Sequence, residues 1–342
     1  MLDLAVIGLG RVFERHHWPA ICSSQVWRLV GACDPVGARR EWLNDLRPDL
    51  RIFSDAEALF AVTDSDAVLI AATPAQHAAL VKLALDAGQH ILVEKPMGLD
   101  LREASGLTAL AGSYALQVGY MRRFSPSYAA LAEVLAELEP ADIRLAQIHM
   151  SFDPIGWRSV TGYLGVGKDG DVLRDVVSHQ VDLLSWLFQA ECVAVHATRP
   201  EFSTVRYELE LSNGVTVQGL ARHAAPYREQ LIVGTTKRLF VADPYGLVRR
   251  PRWAQSLPTI PMALRPGAIL HLAASKLLRR PNVTAKCFVR QLDDFGARVQ
   301  GRDSVGADGQ SALACHRALQ AIDASCKRGG VKMRIHEAQN ND

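Results

Sequence analysis

"LAVIGLGRVF", residues 4–13, decides the fold. Leu4 to Ile7 form an unbroken apolar run, as in a strand buried on both faces. Gly8-x-Gly10 follows at once, and a helical pattern comes next. In such a strand-turn-helix the first glycine permits the tight turn. The second lets backbone approach a pyrophosphate, and the helix N-terminus offers N–H groups and a positive dipole end. Gly8, Gly10, Arg11 and Val12 are therefore the expected phosphate-binding turn. Phe13 replaces the third glycine of the usual pattern, which predicts a helix set slightly further from the strand.

Outward from this turn, the first half keeps the same rhythm. Leu29 to Cys33, Val68 to Ala71, Ile91 to Val93 and Leu116 to Val118 read as further buried strands. Segments 36–47, 75–88 and 100–111 have helical spacing between them. Repeated strand-helix units imply a doubly wound parallel sheet covered on both faces. Asp34 ends the second strand, in the region about 20 residues on where a carboxylate accepts the adenosine ribose hydroxyls and repels a 2′-phosphate. This favours NAD over NADP. Arg39 and Arg40 read as a solvated helix face.

After about Met121 the rhythm changes. "SPSYAALAEVLAEL" opens a helix with a Ser-Pro start, and "IRLAQIHMSF" reads as a longer strand. "STVRYELELSNGVTVQGLARH" alternates and turns at Asn213-Gly214, a hairpin signature. "IVGTTKRLFVAD" reads as another hairpin, and helices near 285–300 and 308–328 complete the chain. Two domains follow: a nucleotide-binding domain over 1–121 and an α+β domain with a mainly antiparallel sheet over 122–342. With 342 residues, one ordinary core is too few.

Composition narrows the function classes. Hydrophobic residues make up 49% and charged residues 22%, which suits a globular protein. The net charge of +2 gives no reason to expect nucleic acid as a partner. Cys22, Cys33, Cys192, Cys287, Cys315 and Cys326 form no CxxC pair and read as reduced thiols of a cytoplasmic protein. No secretory segment or membrane span is expected. No Cys cluster or HxxxH pair supports a metal site, and nothing resembles a nucleophilic triad.

One stretch of the second half stands apart. In "DVVSHQVD", helical spacing puts Asp175, His179 and Asp182 on one otherwise apolar face. Val172, Val176, Leu183 and Leu187 form the packing side.

Several stretches now combine. "TPAQH" (73–77) and "EKP" (94–96) each follow a strand, and "GYMRRFSP" closes the first half. "GDVLRDVVSHQVDLLSWLF", "GTTKRL" (234–239) and "ADGQSAL" (307–313) follow. With the Gly8-x-Gly10 start, this order resembles the Gfo/Idh/MocA family of NAD(P)-dependent oxidoreductases, across nearly the whole chain. The resemblance implies a Rossmann domain, an α+β domain whose open sheet often forms a homodimer or homotetramer interface, and a carbohydrate or cyclitol substrate. It makes Lys95, Asp175 and His179 the catalytic set, and lays Thr73, Pro74, His77 and Glu94 along the cofactor. "GVGKDGD", with Lys168 and Asp171 among its glycines, departs from the family's glycine-rich entry to the catalytic helix. Ser178 stands where the family has a small residue.

The chemistry suits these side chains. Oxidising a secondary alcohol removes a hydride and a proton, and the cofactor takes only the hydride. A neutral histidine titrates near working pH, so His179 is the expected base. Asp175 either fixes the His179 tautomer or meets a neighbouring hydroxyl. Lys95 donates to the reacting oxygen and stabilises its developing charge. Asp182 reads as a structural partner of the helix or of an arginine. Arg122 and Arg123 read as ties between the domains. His16 and His17 read equally as packing residues and as neighbours of the cofactor. Trp157, Arg158 and Tyr163 are candidate pocket residues. The basic, Pro-interrupted stretch 249–281 reads as a solvated insertion, with a lid, an oligomer arm or a surface for an anionic substrate such as a nucleotide-sugar as alternatives. Two other functions fit the same fold: an NAD-dependent glycoside hydrolase working by transient oxidation and elimination, and a non-enzymatic sensor.

Overall fold

The computed structural model describes residues 1–152, 171–251 and 283–338. They divide into two compact units. One is Met1–Met121 with Ala285–Leu313, and the other is the described part of Arg122–Thr284 and Ala314–Asp342.

The first unit opens with β1 (Leu2–Ile7). A helical run over 11–23 follows, containing a π-helical turn at Phe13–His17 and then α1 (Trp18–Ser23). Then come β2 (Trp27–Cys33), α2 (Gly37–Leu46), β3 (Arg51–Phe53), α3 (Ala56–Val62), β4 (Ala67–Ile70), α4 (Pro74–Asp86), β5 (His90–Val93), α5 (Leu101–Ala111) and β6 (Leu116–Val118). Ala67 to Ile70 are wholly buried, as the continuous apolar run requires in a strand covered on both faces. Phe13, also wholly buried, packs against Trp18 and Trp42 with ring centroids 6.3 Å away in each case. Its bulk sits where the helix opens as a π turn, Trp18 N–H donating to the Phe13 carbonyl.

The second unit contains α6 (Pro126–Ala136), β7 (Ile143–Phe152), a π-helical turn at Leu173–Val177 running into α7 (Ser178–Phe188), and strands β8 (Cys192–Glu201), β9 (Thr204–Leu211), β10 (Thr216–His223), β11 (Arg228–Thr235), β12 (Arg238–Asp243) and β13 (Gly246–Pro251). The chain ends with α8 (Val283–Val299), β14 (Ala307–Asp308), α9 (Gly309–Lys327), β15 (Met333–Arg334) and α10 (Ile335–Ala338).

The first sheet has the order β14-β6-β5-β4-β1-β2-β3, parallel except for β14. The order reverses direction between β1 and β4, and in open α/β sheets ligands bind outside the carboxyl ends of strands at such a point. The second sheet runs β13-β12-β11-β7-β10-β9-β8-β15, antiparallel except for β7 with β10. The hairpin expected at Asn213-Gly214 joins β9 to β10, with Gly214 at φ +85°. Among the described residues, no helix is long and apolar enough to cross a membrane.

The domain division expected as 1–121 and 122–342 differs from these units in one respect. Residues 285–313 return to the first unit. Phe295 stacks on Trp27 at 5.3 Å, and Trp27 Nε1 donates to the Leu292 carbonyl at 2.8 Å. Phe288, Leu292 and Phe295 join the core of β1, β2 and β4. The apolar face of α8 has its complement in a tryptophan some 265 positions earlier, which local periodicity does not reveal.

In the second unit, the sheet grips α7 through one buried chain of contacts. Gln180 is fully buried; its Nε2 donates to the Leu220 carbonyl at 3.0 Å, and it accepts from Tyr207 Oη at 2.9 Å. The Tyr207 ring lies over Gly219, its cross-strand partner. A Cβ at Gly219 would stand 1.9 Å from that ring. Gly219→Ala must therefore displace Tyr207, and we expect a loss of about 1–3 kcal/mol, read as a lower urea midpoint. The double variant with Tyr207→Leu should recover part of it. Equal midpoints for Gly219→Ala and the parent would show that the ring does not fill this space.

Candidate active site

In the first unit the site is built around Gly8. Its φ is +94°, and a Cβ there would lie 2.7 Å from the Ala71 carbonyl and from Ala72 N. Only glycine lets the end of β1 approach the segment leaving β4 this closely. Asp34 then fastens the turn. It is 1% exposed, and its carboxylate accepts Leu9 N–H and Val36 N–H, each at 2.8 Å. Arg39 and Arg40 surround this acid instead of forming a purely solvated face. Arg39 Nη1 donates to Asp34 Oδ2 at 3.2 Å, and Arg40 Nη1 donates to the Asp34 carbonyl at 2.7 Å.

From Gly8 the contacts continue to Lys95. His77 is buried in α4, with Nε2 3.1 Å from the Ala72 carbonyl and Nδ1 2.7 Å from the Pro96 carbonyl. Burial holds its pKa below the ordinary value, against both carbonyls. His77 thus bridges the backbone beside Gly8 and the backbone beside Lys95. It does so as an internal brace, while Thr73 at the start of α4 is exposed and Pro74 is buried. Lys95 is half-buried directly after β5.

Glu94 is held by a residue outside the set expected from sequence. His17 Nε2 lies 2.7 Å from Glu94 Oε1, and Lys95 N–H donates to Glu94 Oε2 at 3.2 Å. Burial pushes the Glu94 carboxyl up, but the hydrogen bond and charge of His17, with Lys95, outweigh it and leave the pKa lowered. Gly119 leaves room for this acid, since a Cβ there would stand 2.8 Å from Glu94 Oε2. His16 stacks on Phe288 at 4.8 Å, and His17 meets the same ring edge-on at 4.9 Å. Burial, with His17 beside it, drives the His16 pKa down to about 4. The sequence signal was the His16-His17 pair just after the turn; its partner lies 77 positions away.

In the second unit, Asp171 opens the helical segment. Leu173 N–H donates to its Oδ1 at 3.0 Å, and Arg199 forms an ion pair with the same carboxylate. Asp175 lies in the π-helical turn and is 7% exposed. Its Oδ2 is 3.1 Å from Nε2 of His223, at the end of β10. His179 follows in the first turn of α7, half-buried. Asp182 takes the structural role expected of it. Arg123 Nη2 donates to its Oδ1 at 2.6 Å and Nε to its Oδ2 at 3.0 Å, with both side chains buried. Asp175 and Asp182 thus pair with different elements, His223 of β10 and Arg123, and a wider π turn precedes α7. Val172, Val176, Leu183 and Leu187 are all buried, as expected.

Arg122 and Arg123, expected as ties between the domains, each form an ion pair within the second unit. Arg122 forms two hydrogen bonds to Glu229, at 2.9 and 2.6 Å, and Tyr128 and Tyr227 donate to the same carboxylate. Glu229 lies on β11, over a hundred positions away, so no local pattern announces the pair. Trp157, Arg158, Tyr163 and Lys168, and nearly all of 249–281, lie outside the described residues.

A family model described as "Oxidoreductase family, NAD-binding Rossmann fold" matches residues 2–121, and its designation is GFO_IDH_MocA. Residues 2–121 are thus similar to the NAD-binding domain of the Gfo/Idh/MocA oxidoreductases. Their glycine turn, with the buried acid at the end of β2, fits the NAD-binding Rossmann unit of that family. Among curated relatives, the inositol 2-dehydrogenase of Paracoccus denitrificans (strain Pd 1222) is 26% identical over 63% of this chain and 66% of its own length. The putative oxidoreductase YceM of Salmonella typhimurium is 35% identical over 38% of this chain and 42% of its own. The match thus spans just under two thirds of the length of the first relative and under half of the second. Solved structures share the whole fold. Scyllo-inositol dehydrogenase from Lactobacillus casei, with bound NAD(H) and scyllo-inositol, is 20% identical with a TM-score of 0.77, covering 98% of this chain and 99% of that one. The WlbA dehydrogenase from Bordetella pertussis, in complex with NADH and UDP-GlcNAcA, is 17% identical with a TM-score of 0.80 over 97% of each chain.

The Glu94–His17 pair sets a pH dependence of stability. The folded pKa of Glu94 lies below its ordinary 4.5, so its ionisation stabilises the fold above the unfolded value. That contribution is lost as pH falls through the folded value. His17→Phe removes the partner and leaves the acid buried. We expect a loss of about 3 kcal/mol near neutral pH, shrinking in acid as Glu94 in the variant takes up a proton. Thermal unfolding of both proteins near neutral pH and near pH 4 reads this. An equal drop in Tm at both would contradict it.

Proposed function

We propose that the protein is an NAD-dependent dehydrogenase or reductase acting on a secondary hydroxyl or ketone of a cyclitol, sugar, aminosugar or nucleotide-sugar. The observation that carries this reading is the continuous brace from the glycine turn through His77 to the Pro96 backbone. It fixes an amine, Lys95, at the carboxyl end of β5, in the same unit as the dinucleotide turn. NAD held at Gly8, Gly10 and Asp34 would supply a hydride acceptor. Leu9 N–H on Asp34 holds the turn in shape, and Arg11 and Val12 begin the helix that faces the phosphates.

In this reading the protein's own groups handle the oxygen and its proton. Lys95 donates a hydrogen bond to the substrate oxygen and favours its negative charge as the C–H bond weakens. Glu94, kept ionised by His17, stays beside Lys95 and accepts its backbone N–H. His179 takes the hydroxyl proton, and in the reductive direction returns it. Asp175 accepts a hydrogen bond from a neighbouring substrate hydroxyl or from His179. A cyclitol or sugar suits this set, since it presents adjacent hydroxyls to a base and an acceptor. The names of the relatives support that class: two of them carry an inositol in the name, and one structure holds a nucleotide-sugar. The reading includes a homodimer or homotetramer in the cytoplasm. The six free cysteines suit that compartment.

The test is a panel of cyclitols, sugars and nucleotide-sugars incubated with NAD while reduced nicotinamide is followed by absorbance. We expect stoichiometric reduction with at least one class. Lys95→Ala and His179→Ala should each lower kcat about 100-fold or more, while NADH binding, followed by fluorescence, persists. Near-normal turnover in both variants would overturn the assignment of these residues.

A further inference from the structure

We propose that His223 is the positioning residue for Asp175, donating from Nε2 to one carboxylate oxygen and so fixing which way the acid presents its other oxygen. The inference rests on the reading that Asp175 meets the substrate or the base. It adds a second histidine to that site, on a different element and 48 positions along the chain.

The geometry makes His223 well suited to the task. It ends β10, paired with Phe152 of β7, and the Phe152 ring stands edge-on to the imidazole at 5.2 Å and 71°. The ring is thus walled on one side and cannot swing without losing that contact. Its side chain is 10% exposed and that of Asp175 is 9% exposed. Backbone holds it too: His223 N–H donates to the Ser203 carbonyl at 2.8 Å. Asp175 sits in the π-helical turn, where its N–H donates to the Asp171 carbonyl at 2.9 Å and its side chain is left to find a partner off the helix. A carboxylate there needs an outside partner to hold one orientation, and a buried polar group needs a hydrogen-bond partner. His223 meets both needs. The protonation is defined by the contact. A carboxylate accepts, so Nε2 must carry the hydrogen. In the neutral ring this leaves Nδ1 as acceptor.

The test separates a donor from a packing residue. His223→Gln keeps an N–H at nearly the Nε2 position; His223→Ala removes both donor and ring. We expect His223→Ala to lower kcat about tenfold or more with KM changed less, and His223→Gln to stay within about threefold of the parent. Circular dichroism and Tm establish that each variant is folded. In the free protein, without cofactor or substrate, 15N-histidine NMR should show the His223 ring protonated at Nε2, and Asp175→Asn should shift that signal. Three results would overturn the inference: an unprotonated Nε2, unchanged kcat in His223→Ala, or a folded His223→Gln as impaired as His223→Ala. Should no member of the substrate panel reduce NAD, the functional reading fails, while the NMR arm still decides the pairing.

Discussion

The backbone crossing at Gly8 is the constraint on which the first unit depends. At the end of β1 a Cβ on residue 8 would lie 2.7 Å from the Ala71–Ala72 backbone, closer than any side chain tolerates. That approach is what opens a turn at the point where the strand order reverses. Asp34 then fastens the turn from the side, and His77 fastens the neighbouring segment to the loop that carries Lys95. Each brace is a short polar side chain bonded to backbone, in a region of nearly complete burial. Removing one leaves an unpaired polar group in the interior, which costs more than the hydrogen bond itself contributes.

The second unit repeats this logic with different parts. Its proposed catalytic acid sits on a π-helical turn, and the neighbouring helix is pinned by Gln180 to the sheet and by Asp182 to Arg123. The pins surround Asp175 and His179 with fixed elements. Both units thus contain a π turn in a helical segment that carries site residues or their partners, at Phe13–His17 and at Leu173–Val177. In each case the widened turn carries side chains that make partners outside the helix: His17 with Glu94, and Asp175 with His223.

Much of this was legible in the sequence, and the reasons are physical. Strands covered on both faces must be continuous apolar runs, so β1, β2, β4, β5 and β6 are visible as such. Asn-Gly can hold a tight hairpin turn, so β9 and β10 are visible too. β3, three residues long, and β15, two residues long, carry too little pattern to register. The return of α8 to the first unit is written in the fit of Phe295 to Trp27, which no local window contains. The same distinction divides the site. Gly8, Asp34 and Lys95 are marked by position after strands, whereas His17 and His223 acquire meaning only through acids far along the chain. Asp182 was readable as structural because a buried carboxylate on a helix must have a partner, though nothing local identified Arg123.

The proposed activity is movement of a hydride between a polyol carbon and nicotinamide. The most direct measurement follows the atom itself. A cyclitol or sugar that supports NAD reduction is supplied with deuterium on its ring carbons, and the nicotinamide product is weighed by mass spectrometry. The account predicts one deuterium per molecule of reduced cofactor and a slower turnover than with the protiated substrate. Reduced cofactor without the label, or substrate turnover with no reduction at any stage, would contradict it.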